Sequence, residues 1–130
     1  PLPRYGRSMR LESVPNALEQ ARQAAAHLCG KPPPKPEAPW FWSDQYDCRL
    51  QIAGLAVDVQ RTVLRGDPAS GKFAIFHLGG DGRAQVIEAV NAPQEFVAGR
   101  LMVASAIPLD AERIADPAVP VKEIVAANLT

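Results

Sequence analysis

The chain has 130 residues, 47% of them apolar, and its 14 lysines and arginines balance 14 aspartates and glutamates. That is room for one modest globular domain with a real core, and zero net charge argues against a nucleic-acid binder, which displaces counterions with clustered Lys and Arg. The longest apolar stretches, such as Leu101 to Leu109, fall far short of the roughly 20 residues that cross a bilayer.

In chain order, Pro1 to Arg10 carries a turn-like Arg4-Tyr5-Gly6-Arg7 and no periodicity, and reads as an ordered loop. It opens without an initiator methionine or a signal peptide, so the chain reads as a piece of something longer. A helix can begin at Ser13, whose hydroxyl can cap free N–H groups, while Pro15 fits the first turn because it has no N–H to leave unpaired. Leu18, Ala21, Ala25 and Leu28 then recur on one face, and Gly30 and Pro32 stop the helix. Such an alanine-rich face calls for a closely packed neighbour in a part of the protein outside this sequence.

Lys31 to Pro39 holds five prolines in nine residues, which favours extended geometry and reads as a linker. Beyond it, Arg49–Ala56, Arg61–Arg65, Phe73–Leu78 and Ala84–Val90 are short strand-like runs. They are separated by the turn sequences Gly66-Asp67-Pro68-Ala69-Ser70-Gly71 and Gly79-Gly80-Asp81-Gly82. Glycines tolerate the positive φ of hairpin turns, so the last three runs are expected to form an antiparallel meander. From Asn91 the pattern becomes helical, with Asn91 as the cap, Pro93 in the first turn, Val97, Leu101 and Ala104 on one face, and Pro108 as the stop. A turn around Asp110 to Ala115 follows, and Pro120 opens a last helix whose Val121, Ile124 and Val125 can dock on the sheet. Strands first and helices after predict an α+β domain, an antiparallel sheet with helices packed on one face.

Few residues have the spacing that chemistry requires. Cys29 and Cys48 have neither a CxxC partner nor histidines at ligand spacing, so we expect reduced, structurally incidental thiols and no metal site. The Gly79–Gly82 cluster matches neither phosphate-loop spacing and lies between strands, which makes it a hairpin turn. His27 and His77 lack an acid-plus-nucleophile constellation and are expected to be structural. Two segments say more. At Glu12-Ser13-Val14-Pro15-Asn16 a helix N-terminus presents N–H groups and a partial positive charge, either as an ordinary capped helix or as a seat for an electron-rich group. Trp40-Phe41-Trp42-Ser43-Asp44-Gln45-Tyr46 places four aromatic side chains in seven residues. Those rings could anchor a core, stack on a planar cofactor or face a partner.

Read together, Arg10-Leu11-Glu12-Ser13-Val14-Pro15-Asn16-Ala17 and the tryptophan segment resemble the oxygenase-coupled ferredoxin reductases, those like putidaredoxin reductase. Leu50-Gln51-Ile52-Ala53-Gly54-Leu55, Arg65-Gly66-Asp67, Ala89-Val90-Asn91 and Val119-Pro120-Val121-Lys122-Glu123-Ile124 extend the similarity in the same order over essentially the whole chain. The resemblance implies a flavoprotein with FAD and NADH domains ahead of a C-terminal α+β domain. Residues 1–31 would be the end of the FAD domain, a loop and a helix, 32–39 the linker and 40–130 the C-terminal domain. It further implies that the helix end at Val14 and Pro15 meets the flavin pyrimidine edge, that Trp42 lies beside the isoalloxazine, and that Trp40 is nearby. Electrons would pass from NADH through FAD to a [2Fe-2S] ferredoxin, in the cytoplasm. The fragment alone would not catalyse this, because the nucleotide-binding glycine fingerprints would lie before Pro1. Such ferredoxins are acidic, which makes Arg22 and Lys122 the candidate partner-binding cations. A non-catalytic module for dimerisation or partner docking, as in flavoproteins of the apoptosis-inducing-factor type, is the competing expectation.

Overall fold

The computed structural model describes Leu2 and residues 5–129, without the side chains of residues 128 and 129. Arg4, at the start of the expected N-terminal turn, lies outside the described residues, as do Pro1, Pro3 and Thr130. Leu2 and Tyr5–Arg7 close a small loop through a Leu2 N–H bond to the Arg7 carbonyl of 2.8 Å.

Helix α1 (Val14–Leu28) begins where Ser13 requires it. The Ser13 hydroxyl accepts from the Asn16 N–H at 3.3 Å, and Gly30 takes a left-handed φ of +64° after the helix end. Leu18, Ala21, Ala25 and Leu28 all lie exposed, and nothing in the described chain covers that face.

Five strands form one antiparallel sheet: β1 (Trp40–Gln45), β2 (Cys48–Gly54), β3 (Arg61–Asp67), β4 (Lys72–Leu78) and β5 (Ala84–Val90), in the spatial order β1-β2-β5-β4-β3. The expected meander is β3-β4-β5, and the Gly79–Gly82 cluster is its second turn. Strand β1 is an addition to the strands expected. Its tryptophan segment pairs Trp40 with Ala53 and Trp42 with Gln51, so the aromatic run is an edge strand as well as a cluster of rings. Such residues suit a pleated, half-buried surface.

Because side chains alternate along each strand, register divides the sheet into two faces. Ala53, Val63, Arg65, Ala74, Phe76, Ile87 and Ala89 share the inner face with Trp40 and Trp42. Over it lie α2 (Pro93–Ser105), against β5 and β2, and α3 (Ala111–Ala115), against β3. Helix α4 (Val121–Leu129) packs on α2 and α3 rather than directly on the strands, contributing buried Val121 and Ile124 to the same core. The α+β reading holds, with these helices on one face.

Two expectations for α2 fail. Asn91 does not cap it; the residue before Pro93 is Ala92, which has no side-chain oxygen to offer. Asn91 instead adopts φ +49°, accepts from the Arg49 N–H at 2.9 Å and donates to the Gly71 carbonyl at 3.0 Å, tying β2 to the β3–β4 connection. The expected face of Val97, Leu101 and Ala104 is also the exposed one, and Phe96, Gly99, Met102 and Val103 turn inward. Both stripes are apolar at helical spacing. Gly99 decides between them, because a Cβ there would lie 2.2 Å from Ile87 Cδ1. The glycine lets α2 settle onto β5. The expected turn at 110–115 is a short helix, capped by the Asp110 carboxylate, which accepts from the Glu112 N–H at 2.9 Å.

Candidate functional site

The four aromatics of the tryptophan segment separate by strand alternation and position. Trp40 and Trp42 point to the inner face and stack with centroids 5.3 Å apart and planes 28° from parallel. Phe41 goes to the opposite face, and Tyr46 stands in solvent at the hairpin tip. Core anchoring belongs to Trp40, which packs against the core and meets Phe96 at 6.2 Å. Trp42 is half-buried, and Trp40 is its ring partner.

Helix α1 packs against β1, so the two segments singled out in the sequence sit on touching elements. At the start of α1 the first-turn donors are nearly all engaged or missing. Asn16 N–H goes to Ser13 Oγ, Ala17 N–H goes to the Ser13 carbonyl at 3.0 Å, and Pro15 has none. Val14 N–H has no acceptor among the described residues, so one donor, together with the positive end of the helix, is what α1 can offer a ligand. An open cleft of about 550 Å³ runs along this helix start, lined by Arg10, Glu12, Ser13, Asn16 and Gln20 among others. The half-buried indole and the helix end with one free N–H thus lie on adjoining elements. An apolar ring and a single donor at a positive helix end are the chemistry that suits a planar group with a polar, electron-rich edge.

Sequence reasoning missed two arginines, each paired with a glutamate, that organise this inner face. Arg100 of α2 lies over the Trp40 ring, its guanidinium carbon 5.2 Å from the centroid, and pairs with Glu37 from the end of the proline-rich segment. That segment is anchored again where the Gly54 N–H reaches the Pro39 carbonyl at 2.7 Å. Farther along the sheet, Arg65 is only 5% exposed. It donates to the carbonyls of Ile114 at 3.0 Å, Asp116 at 2.7 Å and Val119 at 2.8 Å, and its Nε is 3.6 Å from Glu95 Oε1. The last distance allows charge pairing but not a hydrogen bond. No sequence signal links residues this far apart; Arg65 reads as part of a strand, and no expectation attaches to Arg100.

The remaining candidates separate. Arg22 is exposed on α1 and Lys122 on α4, and these helices pack on different elements. His77 Nε2 lies 3.0 Å from Glu88 Oε2 and its Nδ1 3.4 Å from Thr62 Oγ1, a cross-strand row on the outer face with no nucleophile set for catalysis. His27, Cys29 and Cys48 are exposed, the cysteines as free thiols. Among the described residues no cluster could hold a metal ion and no helix is long and apolar enough to cross a membrane.

Residues 40–125 match the family described as reductase C-terminal. Across 122 residues, 93% of the chain, the sequence is 54% identical to the probable ferredoxin reductase CtmF of Castellaniella defragrans. It is 46% identical over 95% of the chain to putidaredoxin reductase CamA of Pseudomonas putida. The fold superposes on the crystal structure of the covalent putidaredoxin reductase–putidaredoxin complex with a TM-score of 0.90, at 45% identity over 97% of this chain. Ferredoxin reductase for the CYP199A2 system of Rhodopseudomonas palustris superposes at 0.83, with 40% identity over 92% of the chain. The chain spans 30%, 29%, 30% and 30% of those four proteins in turn. In sequence and in fold, this chain belongs to the reductase C-terminal family found at the end of ferredoxin reductases.

Proposed function

We propose that this chain is the C-terminal part of a flavoprotein that passes electrons from NADH through FAD to a [2Fe-2S] ferredoxin serving an oxygenase, in the cytoplasm. Residues 1–31 complete an FAD domain, 32–39 connect it, and 40–130 form the reductase C-terminal domain. The 130 residues contain no GxGxxG fingerprint, so binding of either dinucleotide rests on further domains of the same protein.

One observation carries this reading. The 54% identity runs over 122 of the 130 residues, so it must include α1 as well as the C-terminal domain, and α1 has an apolar face that the described chain leaves bare. A helix kept in such a match, yet uncovered here, belongs against another domain.

Within that reading Val14 N–H and the α1 end serve the flavin pyrimidine edge. Pro15 contributes contact without a donor, Trp42 flanks the ring system, and Trp40 backs Trp42. FAD, when bound, accepts hydride from NADH and releases electrons singly. The contribution of this chain is to favour negative charge at that edge through the helix dipole and to keep an apolar wall beside the ring. Arg22 and Lys122 supply positive charge for an acidic ferredoxin.

The test is the visible absorption spectrum of the protein expressed from its complete reading frame, before and after anaerobic NADH. Flavin bands that bleach on addition are expected. A folded, colourless protein would overturn the reading and favour a docking module without redox chemistry.

A further inference from the structure

We infer that Arg100 is a positioning residue: by lying over Trp40 it sets the plane of Trp42, and through Trp42 the wall against which the flavin rests. The inference deepens the proposed function and rests on its placement of Trp42.

The support is a chain of contacts with one end buried and one end open. Glu37 holds Arg100, Arg100 lies over one face of Trp40 at 5.2 Å, Phe96 meets Trp40 at 6.2 Å, and Trp42 stacks on Trp40 at 5.3 Å. Phe96 is buried in the core, so that contact is fixed by α2 packing. Among the described residues Trp40 is the one aromatic ring that Trp42 meets. Trp42 lies on the edge strand, half-buried. Whatever tilts Trp40 therefore tilts Trp42. A planar guanidinium over an indole is attracted by the ring quadrupole and stacks in a preferred plane, and the Glu37 carboxylate restricts the rotation of that guanidinium. Arg100 and Trp40 belong to different elements, α2 and β1, so the contact also fixes the edge strand against the helix layer.

The experiment uses the full-length holoprotein with Arg100→Met, Trp40→Leu, the double variant and Trp42→Phe. The first readout is the far-ultraviolet circular-dichroism couplet produced by the stacked indoles. Arg100→Met should reduce it by about half or more while cooperative thermal unfolding is retained; an unaltered couplet would overturn the inference. The second is flavin emission, which a nearby indole quenches. Trp42→Phe should raise it, and Arg100→Met should raise it part of the way. Emission unmoved in Trp42→Phe would sink the flavin placement itself. Emission raised there but unmoved in Arg100→Met would sink only the role of Arg100. The third is the rate of ferredoxin reduction. Arg100→Met should slow it about two- to fivefold, the size expected of one half-exposed cation–π contact, and should add nothing further in the Trp40→Leu background, which has no ring for the guanidinium to lie over. Additive losses would mean that Arg100 acts on the ferredoxin by its own charge, which also overturns the inference.

Discussion

At the scale of single residues, Arg65 shows how much one buried side chain can organise. Three carbonyls from the end of α3 and the α3–α4 connection converge on its guanidinium, with the Glu95 carboxylate on its remaining edge. The bond to the Ile114 carbonyl is buried, and leaving such a group unpaired costs about 1–3 kcal/mol, whereas the Asp116 carbonyl also accepts from the Val119 N–H at 3.2 Å. Arg65→Met should therefore destabilise the chain by about 3–5 kcal/mol, the range for breaking a buried charge network, as a fall in the urea midpoint. Arg65→Lys should lose less, since it keeps the charge, but should not recover wild-type stability. A single ammonium cannot reproduce the planar fork that serves three acceptors. Equal stability of Arg65→Met and the parent would show that the network contributes nothing net.

At the scale of elements, close approach and turn strain can each be altered separately. Helix α2 meets β5 at Gly99, where a Cβ would sit 2.2 Å from Ile87 Cδ1 and 2.9 Å from two further Ile87 atoms. Gly99→Ala forces helix and sheet apart, at a cost of about 1–3 kcal/mol for overpacking. Alanine's better helix propensity returns up to about 1 kcal/mol. The expected net loss is about 1–2 kcal/mol, read from denaturant unfolding, and Gly99→Ala with Ile87→Val should recover part of it. The β1–β2 hairpin presents the opposite case. Tyr46 holds φ +56° while its ring stands wholly in solvent, so the left-handed conformation has no packing to offset it. Tyr46→Asn should raise stability by about 0.5–1 kcal/mol, seen as a higher thermal midpoint; a lower midpoint would mean that the ring makes a contact that the fold does not show.

At the scale of the whole molecule the question is how two separate cations meet one partner. Arg22 is exposed on α1, which packs on β1, and Lys122 on α4, which packs on α2 and α3. If both face an acidic ferredoxin, their effect is steering, which acts on encounter and is screened by salt. Reversing both to Glu in the complete protein should raise the ferredoxin KM about tenfold at low salt, with the difference shrinking as salt is added. Reduction of an artificial acceptor should be unchanged, and equal loss with both acceptors would indicate misfolding instead.

The sequence by itself determined the parts of this protein that rest on local chemistry. Ser13 had to cap α1 because its hydroxyl lies next to unpaired N–H groups, the glycine turns had to separate antiparallel strands, and strands followed by helices had to layer as α+β. The order of the motifs along the chain is also enough to point to the reductase family. Only the tertiary structure decided which of two apolar stripes on α2 faced inward, because that depended on Ile87 opposite Gly99. It turned Asn91 from an expected cap into a tie between β2 and the β3–β4 connection, since Ala92 holds the cap position. It converted the tryptophan segment into an edge strand whose alternation sends Trp40 and Trp42 one way and Phe41 the other. The hydrogen bonds of Arg65 and Arg100 span 49 to 63 residues along the chain. Separations of that length leave no periodicity or spacing to read, because the folded sheet alone brings those groups together.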